Sequence, residues 1–303
     1  MYKTLQNNQA KPRSYTREEK KIVAKDYCVS YKLDGEHRFL ICENGAIPYL
    51  IDVNDNQTPF STEVWNREKV IIEGELYEGE LYAFDVLLKD IPFRKRFDTL
   101  SKLIMEIKGM NIKLKEFLFT KKEGMIFTHC KKILRSTNLR IDGLIFTPQN
   151  KLYYDSTAFV YKWKPAHLLT IDFLIQDSKI YTAISKHQFL NLKMNRLPQF
   201  KGIRVDNYFK LLFCKEFLFK ESLSKEIKDD IHILRTDTPD IYENKIVECL
   251  YDGERFIPIK IRDDKTESYL KNTHFSGPNN YNTCLSILEE SLNPISEEEL
   301  FLF

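Results

Sequence analysis

The chain has 303 residues, of which 43% are hydrophobic and 30% are charged. This composition is typical of a soluble globular protein, and the length is enough for two domains with separate cores. The formal net charge of +2 excludes a strong overall attraction to nucleic acids or membranes, although it allows a local basic groove. No apolar run reaches the roughly 18 residues of a membrane span, and the polar N-terminus lacks a signal-peptide core. We therefore expect an intracellular protein with no membrane partner.

The six cysteines are scattered, and none has a cysteine or histidine neighbour at zinc-ligand spacing. Without a secretory context, such residues are typical of buried, reduced thiols. We predict this state for the cysteines at positions 28, 42, 130, 214, 249 and 284.

The first half of the chain predicts a mainly β structure after a polar lead-in. A short helix is expected over residues 17–24, and strands dominate from residue 27 to about residue 165. Asn44-Gly45 and Glu78-Gly79 each interrupt strand-like runs, which predicts two hairpins because glycine supplies the positive φ of tight turns. Charged and apolar residues mix at helical spacing over 97–122, which predicts a long helix.

The second half of the chain predicts a separate, smaller domain. Pro165 marks the boundary, and the strand-like runs over about 170–265 suggest a small β-barrel. The C-terminal residues predict one amphipathic helix and a shorter helix after Pro294.

Lys32 lies at the end of a predicted strand, directly before the turn Asp34-Gly35. One interpretation is an exposed hairpin, and the other is a nucleophilic lysine presented by the turn. A free lysine amine is only about 0.04% neutral at pH 7, so a nucleophile needs neighbouring cations or burial to lower its pKa. Lys162 and Lys164, two apart on a predicted strand, have the charge and spacing for that role. A solvated strand edge explains them equally well.

Several carboxylates and one aromatic side chain also lie at strand positions. Glu73 and Glu75 share one strand face, where a carboxylate could accept a ribose hydroxyl or approach a metal. Phe84 could stack on a purine or simply fill the core. Asp142 lies at a strand end, and alone it is a weak signal for a metal or phosphate site.

These segments occur in a fixed order: Lys-x-Asp-Gly from Lys32, Glu-Gly-Glu from Glu73, Phe84-Asp85, Asp-Gly-Leu-Ile from Asp142, Lys-Trp-Lys from Lys162, and Arg-x-Asp-Lys from Arg262. The set resembles the six collinear motifs of the covalent nucleotidyltransferases, the superfamily of mRNA capping guanylyltransferases and ATP-dependent polynucleotide ligases. "DGLIFTP" and "KWKP" running into "TIDFLI" are more similar to the capping branch than to the ligases.

The resemblance implies an α+β fold in three parts. Residues 1–168 would form an antiparallel, ATP-grasp-like nucleotidyltransferase domain with motifs I–V, and residues 169–266 an OB-fold barrel with motif VI. Residues 267–303 would form C-terminal helices that pack back on the first domain.

The resemblance also implies a role for each site residue. Lys32 would be the nucleophile that forms a lysyl-N-GMP bond. The other implied contacts are Asp34 and Gly35 in the turn after Lys32, Arg38 and Glu75 for the ribose, Phe84 and Ile145 for guanine, Asp142, Lys162 and Lys164 for the α-phosphate, and Lys260, Arg262, Asp264 and Lys265 for the pyrophosphate. Asp142 and Glu75 are the expected metal ligands, for Mg²⁺ or Mn²⁺.

The sequence departs from the family pattern in three motifs. His37 stands where the family has the ribose-binding arginine, and Arg38 follows it on the other strand face. Glu73 replaces an aspartate, while Phe256 and Lys260 stand where tryptophan and arginine are usual.

The implied function is transfer of GMP from GTP to the 5′-diphosphate end of RNA. An RNA triphosphatase and a cap methyltransferase are the expected partners, as separate proteins or domains. The alternatives are an ATP-dependent polynucleotide ligase and a non-catalytic RNA-binding subunit that retains the fold. The composition, rich in Lys, Asn, Ile and Phe, suggests a viral source and a cytoplasmic setting, with the nucleus still open.

Overall fold

The computed structural model describes residues 4–5, 12–52, 55–107, 109–155, 157–176, 179–185, 209–213, 240–252, 256–270 and 277–302. The chain divides into two compact units, residues 1–164 with 297–303 and residues 165–296. None of the helices in the described residues is long and apolar enough to span a membrane. The five described cysteines are buried free thiols, as predicted, and Cys214 lies outside the described residues.

The first unit contains two sheets. Sheet I has the strand order β1-β11-β10-β2-β9, and its strands are β1 (Arg13–Ser14), β2 (Tyr27–Leu33), β9 (Leu118–Phe119), β10 (Ile141–Pro148) and β11 (Tyr161–Trp163). Sheet II has the order β5-β4-β3-β6-β7-β8, and its strands are β3 (Glu36–Cys42), β4 (Tyr49–Ile51), β5 (Gln57–Pro59), β6 (Val70–Tyr77), β7 (Glu80–Val86) and β8 (Ile112–Leu114).

Both predicted hairpins are confirmed in sheet II. Strands β3 and β4 are antiparallel neighbours, and Gly45 between them has a φ of 78°. Strands β6 and β7 are joined by Glu78 and Gly79, with φ values of 50° and 80°. Positive φ at both central residues matches the right-handed twist of the flanking strands, so this turn fixes the register of the pair.

The predicted short N-terminal helix is confirmed as a 3₁₀ turn, Arg17–Glu19, followed by α1, Lys20–Asp26. Thr16 and Glu19 form a capping box. The Thr16 hydroxyl accepts a hydrogen bond from the Glu18 N–H, and the Glu19 carboxylate accepts one from the Thr16 N–H. The predicted long helix over 97–122 is wrong in extent. Helix α2 spans Phe93–Glu106, and the chain then turns at Gly109, with a φ of 74°, before entering β8.

One helix of the first unit was not predicted. Helix α3, Met125–Ser136, buries Ile126, Phe127, Cys130 and Ile133. This spacing of one, three and three residues places them on one helical face. The pattern was overlooked because the flanking segments have strand character.

The second unit is built on sheet III, with the order β14-β13-β12-β15-β16 and antiparallel pairing throughout. Its strands are β12 (Thr170–Gln176), β13 (Lys179–Ser185), β14 (Phe209–Phe213), β15 (Lys245–Tyr251) and β16 (Phe256–Ile261). Over the described residues β14 and β16 are the two edges, and they do not pair with each other. The described part of sheet III is thus open, and the OB-fold barrel stays a prediction.

The two predicted C-terminal helices, one before and one after Pro294, are both confirmed. Helix α4, Asp263–Leu270, follows β16. Helix α5, Tyr281–Leu292, contributes Cys284 and Leu288 to the core of sheet III. Helix α6, Glu297–Phe301, belongs to the first unit, where Arg17 binds Glu299 at 2.5 and 2.7 Å. The functional domain assignments themselves stay predictions.

Strand β10 contains the backbone feature that positions the site. Its pairing with β2 shifts register between Ile141 and Gly143, so Asp142 lies in a β-bulge, a device that re-aims a side chain. Gly143 has a φ of 143°, and a Cβ at this position would lie 2.0 Å from the carbonyl oxygen of Trp163 on β11. Glycine is required here on both grounds.

Gly143→Ala is therefore expected to lower the free energy of unfolding by about 3 kcal/mol or more, because the backbone of β11 must move. Gly79→Ala is the matched control, since Gly79 also has positive φ but nothing within 4 Å of its added Cβ. The control should cost only about 1–2 kcal/mol. Urea denaturation measures both, and equal losses would contradict the steric role of Gly143.

Candidate active site

Lys32, Asp142 and Lys164 form a cluster of two amines on one carboxylate. The Nζ atoms of Lys32 and Lys164 each lie 2.9 Å from Asp142 Oδ2. The three side chains are 23%, 19% and 21% exposed, so the cluster is partly desolvated yet open to a ligand. The sequence placed these residues in three separate motifs, and the structure brings them together.

The local structure explains this meeting. Lys32 pairs with Gly143 across β2 and β10, and Lys164 directly follows β11, the other neighbour of β10. The bulge places Asp142 between the two lysines. Burial raises the pKa of Asp142, but the hydrogen bonds and charges of Lys32 and Lys164 outweigh it and hold this pKa below its ordinary value. The carboxylate is thus ionised at neutral pH.

A cavity of about 220 Å³ lies between sheets I and II. Three predicted contact residues line it: Glu75 from β6, Phe84 from β7 and Ile145 from β10. Because Phe84 and Ile145 come from opposite sheets, they form two walls of a slot. Ile145 pairs with Ser30, two residues before Lys32 on β2, so the cavity and the lysine cluster share one strand pair.

Lys115 lines the same cavity and was missed by the sequence analysis. It is 3% exposed, and its Nζ donates to Glu75 Oε2 at 2.6 Å. The same Nζ lies 5.4 Å from the ring centroids of both Tyr31 and Phe84, a cation–π arrangement. Lys115 falls within residues 97–122, which were wrongly predicted as a helix. In a predicted helix, the alternation of strand faces around Lys115 gave no indication of a site.

His37, and not Arg38, lines the cavity among the described residues. The His37 Nε2 atom lies 2.8 Å from Glu73 Oε1, and Tyr153 donates its hydroxyl hydrogen to Glu73 Oε2 at 2.8 Å. Arg38 instead donates to the Glu36 carboxylate and, at 3.2 Å, to the His37 carbonyl oxygen. The face change noted in the sequence is thus present in the structure.

A second buried ion pair, Arg96 with Asp85, lines the cavity. Arg96, 1% exposed, donates from Nε and Nη2 to the two oxygens of Asp85, both at 2.7 Å. It also donates to the backbone carbonyl oxygens of Ile91 and Lys151, at 2.5 and 2.8 Å. Burial raises the pKa of Asp85 to about 6, and Arg96 limits this rise.

The remaining predicted residues of the first unit lie near the lysine cluster along the chain. Asp34 is exposed in the turn after β2, and Gly35 is half-buried. A Cβ on Gly35 would lie 3.0 Å from the Leu76 carbonyl oxygen, so glycine permits a close approach to β6. Lys162 is half-buried and pairs with Ile145 across β11 and β10.

The predicted pyrophosphate contacts lie in the second unit. Arg262 Nη1 and Lys265 Nζ lie 3.1 and 2.5 Å from Asp172 Oδ2. Asp172 is buried on β12 and was not singled out from the sequence. Lys260 is exposed on β16, and Asp264 lies in the first turn of α4.

The described residues contain no group of three or more His, Cys, Asp or Glu side chains that could hold a metal ion. Mg²⁺ is commonly held by one or two carboxylates together with substrate phosphates. Asp142 fits the first of these roles, since it is partly exposed beside the two amines. Glu75 fits less well, because Lys115 already occupies one of its oxygens.

The sequence is similar to known mRNA-capping enzymes. The family model for the mRNA capping enzyme, C-terminal domain, matches residues 168–301. Mouse mRNA-capping enzyme is 26% identical over 163 residues, covering 54% of this chain and 21% of the mouse protein. A probable mRNA-capping enzyme of Acanthamoeba polyphaga mimivirus is 27% identical over 199 residues, covering 54% of this chain and 16% of that protein. The predicted resemblance to mRNA-capping enzymes is confirmed.

The similarity to capping enzymes extends over most of the chain in one case. Zebrafish mRNA-capping enzyme is 21% identical over 315 residues, covering 91% of this chain and 46% of the fish protein. The chain thus spans less than half the length of these capping enzymes. The ligase domain of M. tuberculosis LigD, a solved structure, covers 86% of the chain at 14% identity with a TM-score of 0.37, too distant to carry an argument.

Arg96→Met is expected to lower the free energy of unfolding by about 3–5 kcal/mol, because it leaves the Asp85 carboxylate buried without its partner. Lys95→Met, at the exposed neighbouring position, is the control and should change stability by no more than about 0.5 kcal/mol. Combining Arg96→Met with Asp85→Leu should restore part of the loss, since neither charge then remains. Chemical denaturation of the three variants tests this, and a double variant less stable than Arg96→Met would contradict it.

Proposed function

We propose that the chain is an mRNA guanylyltransferase, which transfers GMP from GTP through Lys32 to the 5′-diphosphate end of RNA. The observation that supports this most directly is the Lys32–Asp142–Lys164 cluster at the end of the strand pair that carries Ile145. A nucleophilic amine and an α-phosphate contact are thereby held on one carboxylate, next to a slot sized for a base. The similarity to capping enzymes supports the same reaction.

In the first step, Lys32 Nζ attacks the α-phosphorus of GTP as a neutral amine. A P–N bond forms, the bond from the α-phosphorus to the bridging oxygen breaks, and pyrophosphate leaves with the electron pair. The nitrogen releases one proton to solvent as the phosphoramidate forms. The nearby Lys164 ammonium attracts the α-phosphate oxygens, while Asp142 orients the Lys32 amine. Positioning and charge stabilisation are the main contributions that phosphoryl transfer needs.

In the second step, a terminal phosphate oxygen of the RNA 5′-diphosphate attacks the same phosphorus. The P–N bond breaks, its nitrogen takes up a proton from solvent to regenerate the Lys32 amine, and the product is a GpppN cap. Mg²⁺, held by Asp142 and the substrate phosphates, would neutralise phosphate charge when bound.

The cavity favours guanine over adenine. Phe84 and Ile145 would hold a planar base between the two sheets, and Lys115 is a buried donor on the wall beside Phe84. Guanine presents the acceptors O6 and N7 on one edge, whereas adenine has an amino donor in place of O6. A buried ammonium facing that amino group would lose its hydrogen bond, so Lys115 discriminates against adenine.

The other contacts belong to the same proposal. Glu75 and His37 would accept or donate hydrogen bonds to the ribose from the sheet II face, with His37 in place of Arg38. Arg262, Asp264, Lys265 and Lys260 would bind pyrophosphate from an OB-fold domain. An RNA triphosphatase would supply the substrate and a cap methyltransferase would use the product. The mimivirus relative supports a viral, cytoplasmic setting.

Incubation with α-labelled GTP and a divalent cation is expected to yield a covalent, acid-labile adduct, mapped by mass spectrometry to the peptide that contains Lys32. Lys32→Arg should abolish the label, because a guanidinium stays protonated and cannot attack. Lys69→Arg is the matched control, since Lys69 forms an ion pair at the surface of the same unit, 2.5 Å from Glu43, and it should label normally.

Parallel incubation with labelled ATP separates the alternatives. Preferential labelling by ATP would replace the proposal with a polynucleotide ligase. RNA binding without any adduct from either nucleotide would instead indicate a non-catalytic subunit.

A further inference from the structure

The segment of residues 121–140 carries an uneven share of the positive charge. It contains six Lys and Arg residues and one acid, Glu123, whereas the whole chain has a formal net charge of only +2. Helix α3 lies within this segment and contains no acidic residue. Helix α2 differs, since Asp98 and Glu106 lie among its cations. One sign of charge concentrated on one helix indicates a site for an anionic partner.

The cations of this segment lie on the solvent side of helix α3. The exposed positions of the helix are Met125, Thr128, Lys131, Lys132, Arg135 and Ser136. Lys121 and Lys122, which precede the helix, are also exposed. We call the set Lys121, Lys122, Lys131, Lys132 and Arg135 the α3 basic surface. Apart from Met125, its helix presents only polar and cationic side chains to solvent.

The α3 basic surface lies on the side of sheet I that faces away from the cavity. Ile145 and Thr147 of β10 line the cavity, so Phe146 between them points to the opposite face of the sheet. The ring of Phe146 contacts that of Tyr15, with centroids 4.9 Å apart, and Tyr15 lies close to Cys130 of helix α3. Helix α3 also packs against β2. A partner on this surface would therefore not compete with GTP for the cavity.

The stability of helix α3 explains only part of this surface. A cation near a helix C-terminus complements the helix dipole, which accounts for Arg135 in the last turn. The same dipole disfavours cations before the N-terminus, where Lys121 and Lys122 lie. Among the residues that the structure describes, none of the five cations forms an ion pair with a carboxylate, whereas Lys113, another exposed lysine of this unit, pairs with Glu80. Helix stability thus leaves the N-terminal part of the surface unexplained.

We propose that the α3 basic surface binds the phosphate backbone of the acceptor RNA, downstream of the 5′ end that receives GMP. This inference rests on the proposed function, because it concerns the RNA substrate of that reaction. The surface would hold the RNA chain through its charge, without reading its sequence.

The composition of the surface favours RNA over an acidic protein as the partner. Protein–protein interfaces have an apolar core with aromatic or large aliphatic anchors. Helix α3 exposes one such side chain, Met125, at its first position. A phosphate backbone requires only a row of accessible cations, since release of its counterions supplies most of the affinity.

The position of Lys121 and Lys122 connects this surface to the lysine cluster. Both directly follow β9, an edge strand in the described part of sheet I, which pairs with Cys28 and Val29 of β2. Lys32 lies three residues beyond Val29 on β2, roughly 10 Å away at about 3.3 Å per residue. An RNA chain can pass from one face of a sheet to the other only around an edge. RNA with its 5′ end at Lys32 would thus reach the surface within a few nucleotides.

The first test measures binding of a single-stranded 5′-diphosphate RNA of about 20 nucleotides, long enough to extend beyond the 5′ end. Fluorescence anisotropy would be recorded without GTP or divalent cation, over a range of salt concentrations. The triple variant Lys131→Gln, Lys132→Gln and Arg135→Gln should bind about 10- to 100-fold more weakly at about 0.1 M salt. Its plot of log K against log salt should be shallower by about 2, because each phosphate contact releases about 0.7 counterion.

Two further variants separate RNA contact from general effects of charge or helix stability. The triple variant Lys89→Gln, Lys95→Gln and Lys102→Gln removes the same charge from exposed positions elsewhere in the unit, and it should change affinity by no more than about twofold. The double variant Lys121→Gln and Lys122→Gln lies outside helix α3, so it cannot act through the C-terminal end of that helix. It should make the salt dependence shallower by about 1. Thermal unfolding shows that each variant is folded.

The second test uses the length of the acceptor. GMP transfer from the labelled protein would be measured to RNAs of about 4 and about 20 nucleotides. The triple variant of helix α3 should raise KM for the longer RNA about 10-fold or more and change KM for the shorter one by no more than about twofold. Formation of the GMP adduct, which precedes RNA binding, should be unchanged.

Equal weakening by the α3 and the control triple variants would overturn the inference. An unchanged salt dependence would do the same, and binding of polyglutamate to this surface with RNA affinity unaffected would replace RNA with an acidic protein. The proposed function fails separately, if RNA binding depends on the α3 basic surface but GTP forms no adduct on Lys32.

Discussion

The site depends on one shared carboxylate. Two ammonium groups drawn to a single oxygen of Asp142 repel each other, and they stay together only because that oxygen attracts both. The pairing in turn depends on the bulge in β10, which needs a glycine at position 143 to let β11 approach. A backbone detail of one residue therefore decides whether Lys32 and Lys164 meet at one carboxylate.

The charged residues that line the cavity are also held by partners of opposite charge or by hydrogen bonds. Its lining includes Glu73, Glu75, Asp85, Arg96 and Lys115, and each is bound to at least one partner on another element. Breaking one such pair leaves the other group desolvated, which is far more costly than losing a surface ion pair. These pairs therefore fix the geometry of the walls before any ligand enters.

Much of the fold could be predicted because its signals are local. Gly45 and Gly79 supply positive φ in turns, and Pro294 separates the last two helices, so short windows of sequence were sufficient. The extent of helix α2 could not be predicted this way, since strand β8 exists only through its parallel pairing with β7, a non-local contact. Lys115 was missed for the same reason.

The site could be predicted in part. Motif order identified Lys32, Asp142 and Lys164, but it says nothing about a shared oxygen, which requires the bulge. The alternation of strand faces correctly raised doubt about Arg38, and only the pairing of β3 with β6 brings His37 beside Glu73. Asp172 gave no signal, because a lone acid in an apolar strand is informative only once Arg262 and Lys265 reach it.

In both units, one carboxylate holds two cations. Asp142 does this for Lys32 and Lys164, and Asp172 for Arg262 and Lys265. A carboxylate of this kind keeps like charges together without a ligand. Under the proposed function, each ion pair would have to be weak enough for a phosphate to compete with it. The cations are partly exposed, 21–26% in the four cases, so solvent screens these pairs and weakens them. Deep burial would have made the same pairs permanent, as it has for Arg96 and Asp85.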